Sequence, residues 1–426
     1  MKKLISQLQN ILTTTTLRKS SITFVGTVVN AIFGAIFYIL AARILGPDSF
    51  GIMTIALSVL TLTFDMGDLG TDTGLVNFVS RYFNTEREKA YKFLKLGLKV
   101  KIYVWLVLFV LGVLASNFIA NNIFLKPELN NSLMIAFLGV LSLLLFSFII
   151  HALQAMQRFW GWSLIQVGTN FLRLILFILL FYVGITSVEN TLWVYIAVPF
   201  AGFFIGLKMI GTKFLGVSNE RSVSRDFFKY NKWVAAFAVV TAISSRMDTF
   251  ITARLLDSAE VGIYSAANQM VKIVPQIVLA LGTVIGPKMA ELTDFKEFKS
   301  YLKNTQLLVV GLALLGVVAI PVIIFLIPYV FGNEYLASGP IFVILLSSML
   351  IFLISVPVHT AVLYYYSVPK LFFVVGIIHL LIVIILGWKM TLEYGLRGAA
   401  YTVLIGQIFD FVVPLCYVLG RINRKK

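Results

Sequence analysis

The sequence predicts an all-α polytopic membrane protein, with twelve transmembrane helices arranged as two six-helix lobes related by a parallel pseudo-two-fold repeat. Three observations carry this. First, 59% of the residues are hydrophobic and 13% charged, against about 45–50% and about 25% in soluble domains, and mean hydropathy is +0.93. The apolar runs are long and unbroken, and a helix needs about 20 such residues to cross about 30 Å of hydrocarbon. Only helices or closed barrels satisfy their backbone polar groups there, and unbroken runs select helices. Second, with the N-terminus inside, 27 of the 35 Lys and Arg fall on inward loops and 5 on outward ones, as the positive-inside rule requires. The net charge of +16 therefore reports topology rather than nucleic-acid binding. Third, the stretch Ala42-Arg43-Ile44-Leu45-Gly46-Pro47-Asp48-Ser49-Phe50-Gly51-Ile52 returns as Ala253-Arg254-Leu255-Leu256-Asp257-Ser258-Ala259-Glu260-Val261-Gly262-Ile263. Ala42 and Ala253, Arg43 and Arg254, Gly51 and Gly262, and Ala56 and Ala267 are each 211 residues apart.

Taken in order, the first half (1–210) places spans near 21–42, 51–82, 100–118, 132–153, 162–184 and 191–210. The second of these is long and interrupted by Gly67, Gly70 and Gly74. Residues 211–230, with Asn219-Glu220-Arg221-Ser222, read as a cytoplasmic linker. The second half (231–426) places spans near 231–252, 261–287, 306–327, 339–364, 371–388 and 396–419. Six spans per half make the repeat parallel, and substrate sites in such folds lie where the halves face each other. Residues 4–17 read as an ordinary lead-in or a weak amphipathic helix at the inner surface. Cys416, alone in the chain, excludes an internal disulfide and reads as inert packing.

Ionisable residues at bilayer depth cost about 2.5–3.5 kcal/mol each on insertion scales, so each needs a partner, a cavity or a task. Thr61, Asp65, Asp68 and Asp72 share one helical face, either as a cation-binding cavity wall or with only Asp65 deep. Gln166, Asn170 and Arg173 share a face of the fifth span, and Asn268, Lys272 and Gln276 drift round one side of the eighth, where Pro275 should kink it. Cations on the two halves suit an anionic group, Arg by its planar fork and Lys as a point charge. The bland alternative is pairing, of Lys272 with Asp248 or of Arg173 with Asp65. Arg246 and Asp248 are two apart and so point differently on a continuous helix, leaving the facing of Arg246 open. Asp410, near Gln407, has no partner visible in sequence. His151, His359 and His379 are isolated and read as packing residues. There is no paired-histidine metal motif, phosphate-cradling glycine loop or nucleophile elbow, so no metal, cofactor or catalytic role is expected.

The stretches 42–47 with Phe50-Gly51, Asp65 through Gly74 to Arg81-Tyr82, Arg246-Met247-Asp248, Val261-Gly262-Ile263-Tyr264 with Ala267 and Pro287, and Tyr394-Gly395-Leu396-Arg397-Gly398-Ala399-Ala400 are similar to the polysaccharide biosynthesis family. That family holds lipid-linked oligosaccharide flippases of the O-antigen type, in the superfamily that also contains multidrug and toxin extruders. The resemblance implies two lobes around a cavity that opens alternately to each side, and a polyprenyl-pyrophosphate-linked sugar as cargo for lipopolysaccharide or a similar surface glycan. It implies a site in the cytoplasmic membrane, both termini inside, and membrane lipids and other polysaccharide-assembly proteins as partners. Its cationic and acidic lumen roles map onto Arg173, Lys272, Asp65 and Asp248, with Tyr264 and the amides facing sugar hydroxyls. Asp65, Asp68, Asp248 and Asp410 are the candidates for coupling to an ion. The rivals are a cation-coupled multidrug exporter of the same superfamily and a membrane glycan polymerase or ligase.

Overall fold

A computed structural model describes residues 15–424; the stretch 4–17, which the sequence suggests is a lead-in, lies almost wholly outside them. Ten helical segments among the described residues are long and apolar enough to cross a membrane. Two of these are double. Helix α1 (Thr15–Asp68) turns at Gly46 (φ 74°, ψ 169°), and α13 (Pro369–Asn423) turns at Gly395 (φ 56°, ψ −136°). Both angles lie in territory that only glycine enters without strain. Counting each leg separately gives the twelve spans expected.

The chain forms two compact units, residues 1–45 with 52–245, and residues 46–51 with 246–426. Unit 1 holds the legs of α1, then α2 (Thr71–Tyr82), α3 (Arg87–Phe118), α4 (Leu129–Ala155), α5 (Phe159–Val183), α6 (Val188–Ile210) and α7 (Arg221–Ser244). Residues 221–230, read from sequence as linker, are the opening turns of α7. They pack because Phe227 is fully buried beside Phe78 and Phe93. The polar connection shrinks to 211–220, pinned by three lysines of α3. Lys92 reaches the Glu220 carboxylate at 3.1 Å, Lys95 donates to the Val217 carbonyl, and Lys99 donates to Asn219 at 3.2 Å. Ser222 and Lys92 hold the exposed Glu220 carboxyl below the usual range by hydrogen bonding.

Unit 2 holds the 46–51 turn, α8 (Met247–Leu255), α9 (Ser258–Val271), α10 (Ile273–Glu291), α11 (Phe295–Val330), α12 (Ser338–Thr360) and α13. Within it the two motif copies meet. A Cβ on Gly51 would stand 1.8 Å from the Ser258 carbonyl oxygen, and one on Gly262 would stand 2.0 Å from that of Pro47. Pro47 and Ser258 are themselves 211 residues apart, so the contact is reciprocal, as a pseudo-two-fold demands. The shared glycines are there because two backbones touch. Phe50 packs edge-on to the buried Tyr335, which seats the turn.

The outer faces of α3 (Leu106, Val107, Val110, Leu111, Leu114) and α11 (Leu314, Leu315, Val318, Val322, Phe325) are bare apolar surface, the signature of helices bathed in lipid. The most enclosed spans are α4 and α12, the fourth of each half.

Candidate functional site

A cluster of charges in unit 1 gathers where the second span breaks, around the fully buried Lys101. Leu69 (φ 49°) and Gly70 (φ 71°) are left-handed and separate α1 from α2. Asp68, just before the break, accepts from the Thr71 hydroxyl at 2.7 Å and the Asp72 amide at 3.3 Å, so its carboxylate caps the new helix. Lys101 of α3 is fully buried, 2.6 Å from Asp68 and 2.9 Å from Asp72. On α4, Ser147 donates to Asp72, and His151 Nδ1 lies 3.1 Å from the same carboxylate. A continuous helix would put Asp68 and Asp72 on one stripe. They converge instead across a break, drawn together by a lysine that the positive-inside count assigns to a loop. Asp65, one turn earlier and half-buried, stands outside this group.

Arg173 on α5 is 8% exposed. It donates to Asn170 at 2.7 Å, and its guanidinium lies 4.1 Å from the Tyr195 ring centroid and 5.8 Å from that of Phe37. Asn170 in turn donates to Asn30 of α1 at 2.7 Å. An amide and two rings hold the cation, in place of the Asp65 carboxylate considered from sequence, and its Nε is buried without a hydrogen-bond partner. Gln166, two turns back on the same helix, is half-buried.

In unit 2 the seventh span breaks at Arg246 (φ −127°, ψ 0°). The facing expected of Arg246 and Asp248 therefore does not apply, because no continuous helix runs through them. Asp248 accepts from Tyr264 at 2.9 Å and from Thr249 at 3.4 Å. Tyr264, expected to face sugar hydroxyls, is fully buried and its hydroxyl is engaged there. Asp248 also lines a narrow crevice with Ile251, Val383, Gly387, Thr391, Ala399 and Thr402. Lys272 is the joint between α9 and α10, within electrostatic reach of Arg246 and Asp248. Pro275 falls in the first turn of α10, where its missing N–H costs nothing. Lys272 and Gln276 are exposed and Asn268 is half-buried.

Asp410, without a visible partner in sequence, has one. It lies on the last leg of α13, 2.8 Å from His379 Nδ1 on the preceding leg. His359 of α12 meets the Asp410 backbone carbonyl through Nε2 at 2.9 Å. Cys416, expected to be packing, is instead exposed on that same leg.

Comparison with known proteins now identifies the chain. Residues 16–293 match the family described as polysaccharide biosynthesis protein. The chain belongs to that family. A Shigella flexneri relative described as "Putative O-antigen transporter" is 24% identical over 301 residues, spanning 66% of this chain and 67% of the relative. Among solved structures, the lipid II flippase MurJ in an inward closed conformation is similar with a TM-score of 0.68 at 19% identity, covering 94% of this chain and 87% of that one. An inward-facing multidrug resistance MATE family transporter of the MOP superfamily gives 0.69 at 11% identity, covering 93% and 95%. At such identities the likeness speaks for the fold, and the fold is that of a multi-pass, two-lobed, all-helical membrane protein.

For this member of the polysaccharide biosynthesis family, sequence reasoning misses Lys101, Ser147 and the roles of all three histidines. One signal is available. Ser147 and His151 on α4 reappear as Ser355 and His359 on α12, each pair four apart, with Ser Oγ to His Nδ1 at 3.2 and 3.4 Å. A repeat search confined to the 42–51 motif passes over it, since its offset is 208 rather than 211.

Proposed function

We propose that this protein is a flippase, not an enzyme, which moves a polyprenyl-pyrophosphate-linked oligosaccharide across the cytoplasmic membrane for surface polysaccharide assembly, by alternating access. Family membership carries the reading, and the intramembrane cations fit the cargo. The lipid tail stays in the bilayer while pyrophosphate and sugars pass along polar groups, which spares the head group the cost of entering hydrocarbon. Lys272, exposed at a helix joint, is a point charge suited to a phosphate. Arg173, a cation held by Asn170 and two rings rather than by a carboxylate, keeps its charge for an acidic group, and Gln166, Asn170, Asn268 and Gln276 are amides for hydroxyls. Arg246 adds a further cation beside Lys272. Two lobes joined on the cytoplasmic side through the connection 211–220, with both termini on that side, complete the scheme.

The test is a flippase-deleted bacterium carrying this gene, scored for surface polysaccharide and for precursor trapped on the inner leaflet. Restoration should fall at least ~10-fold for Lys272→Ala, the effect of losing one charge-assisted contact of about 1.5–3 kcal/mol, with the variant still present in the membrane. Full export by Lys272→Ala would sink the assignment of the site. Ethidium efflux without glycan restoration would move the reading to the multidrug exporter.

A further inference from the structure

The His379–Asp410 pair lies outside the group assigned to cargo, and its construction is specific. His379 and Asp410 sit on consecutive legs of α13, joined through the glycine turn at 395. The legs approach closely because Gly406 faces the ring. A Cβ there would stand 2.8 Å from His379 Cε1. His359 completes the group from α12, fixed by the Asp410 carbonyl at 2.9 Å, Ser355 at 3.4 Å and the Phe372 ring edge-on at 5.0 Å. Among the described residues, the ionisable groups facing Asp410 are thus two imidazoles and no lysine or arginine. Asp410 Oδ1 is buried and has no hydrogen-bond partner, and His379 Nδ1, though 2.8 Å from Oδ2, is also buried and not aligned for a hydrogen bond in this arrangement.

We propose that Asp410, His379 and His359 form a proton-binding site in unit 2, holding one exchangeable proton on the Asp410–His379 pair. The charge count argues for it. With one proton on the pair the site is net neutral, as carboxylate with imidazolium or as acid with imidazole. Without it, a net negative charge stays among apolar helices, where an unpaired charge is costly. A sodium ion would seek several oxygens, whereas this site offers imidazole nitrogen, which takes a proton and serves a hard cation poorly. Proton release leaves the eleventh and twelfth spans tied by a weaker contact across the Gly395 turn. Occupancy is thereby linked to the spacing of these two legs. That such a linkage drives cargo rests on the flippase reading; the site itself does not.

The experiment is proton uptake by the purified full-length protein in lipid nanodiscs, moved between about pH 8 and pH 5, the interval in which an ordinary histidine changes charge. Infrared difference spectra report the carboxyl and imidazole bands. His379→Asn should take up less than wild type over this interval, whereas Asp410→Asn, which keeps the imidazole but removes the carboxylate that favours its cation, should move the uptake midpoint to lower pH and remove a carboxyl band. Gly406→Ala, which keeps both groups and pushes the ring aside, should shift the uptake midpoint, and it serves where Asp410→Asn fails to fold. Folded variants with wild-type uptake and spectra would overturn the site. Surface-glycan restoration in the same strains separates the two claims. Wild type that restores no glycan yet loses uptake in His379→Asn removes the flippase reading and supports the site. Restoration with uptake unchanged in every variant does the opposite.

Discussion

Helices α4 and α12 are the same element in the two halves, and their surroundings differ in charge. Both are the most enclosed spans of their units. Both carry a serine four residues before a histidine, and both are succeeded by a left-handed residue, Gln157 (φ 55°) and Ser367 (φ 53°), before the next helix starts. Around His151 the acids Asp68 and Asp72 share the buried Lys101. Around His359 a single acid, Asp410, faces only another imidazole among the described residues. Duplication has kept the packing and let the charge diverge. A lysine is a standing cation at physiological pH, while an imidazole is one on demand. Unit 1 thus holds a permanent charge lock at its helix break, and unit 2 holds the proposed site whose charge depends on a proton.

The largest expected effect comes from breaking the lock. Lys101→Met leaves two neighbouring carboxylates without their cation, and losing one partner of a buried pair costs about 3–5 kcal/mol. The thermal midpoint in detergent should collapse or the protein should fail to accumulate. Adding Asp68→Asn should recover much of the loss, because asparagine still caps α2 and one charge fewer is buried. An unshifted midpoint for Lys101→Met would mean that the unit 1 cluster is no lock.

Where the copies agree, substitutions should act alike. Gly51→Ala and Gly262→Ala each drive a methyl group against backbone carbonyl carbon and oxygen, which no rotamer change relieves. Overpacking of this kind costs about 1–3 kcal/mol or more, so both midpoints should fall by similar amounts. A strong asymmetry would break the reciprocal contact.

How much of this is legible in the sequence depends on what each feature rests on. The twelve spans and the repeat are composition and period, written into every helix, and the 42–51 motif recurs because backbones touch at its glycines. The breaks at Leu69–Gly70, Arg246 and Lys272 are only partly visible. Gly70 and Pro275 flag two of them, but nothing in the residues around Arg246 marks a turn. Asp68 and Asp72 plainly need an explanation, yet their partner Lys101 looks like one more cation of a basic loop until α3 is seen to start at Arg87. His379 and Asp410 are 31 residues apart on one long apolar stretch. Their meeting depends on the Gly395 turn and on the missing side chain of Gly406, neither of which a helical wheel contains.

A smaller effect separates the two serine–histidine pairs directly. His151 and His359 each meet a backbone carbonyl, of Ser147 and Asp410 at 2.9 Å, but His151 Nδ1 also lies 3.1 Å from the Asp72 carboxylate, a charge contact that His359 lacks. His151→Asn should therefore lower the thermal midpoint more than His359→Asn. The reverse order would mean that Lys101 alone satisfies Asp72 and that His151 adds only packing.

The smallest effect concerns the third span of each half. Helix α3 carries Lys92, Lys95 and Lys99 along one face, and α11 carries Lys296, Lys299 and Lys303 at the same set of intervals. The first set grips residues 217–220, while the second stands exposed. The difference lies in what returns over each set: residues 217–220 lie on the α3 lysines, while among the described residues Lys296, Lys299 and Lys303 are exposed. Glu220 is the anionic end of that grip, its carboxyl lowered by Ser222 and Lys92. A carboxyl lowered in the folded state stabilises above its unfolded value of about 4.3 and loses that contribution as pH falls through the folded value. Amide exchange across 217–222 should therefore quicken as pH drops below about 4, beyond the intrinsic change, and salt should have a similar effect because the pair is exposed. Glu220→Gln should show the faster exchange already at neutral pH and lose the extra acid response, while residues 296–303 exchange alike in both proteins. Equal protection of 217–222 in Glu220→Gln would assign the docking to Lys95 and Lys99 acting on the Val217 carbonyl and Asn219 alone.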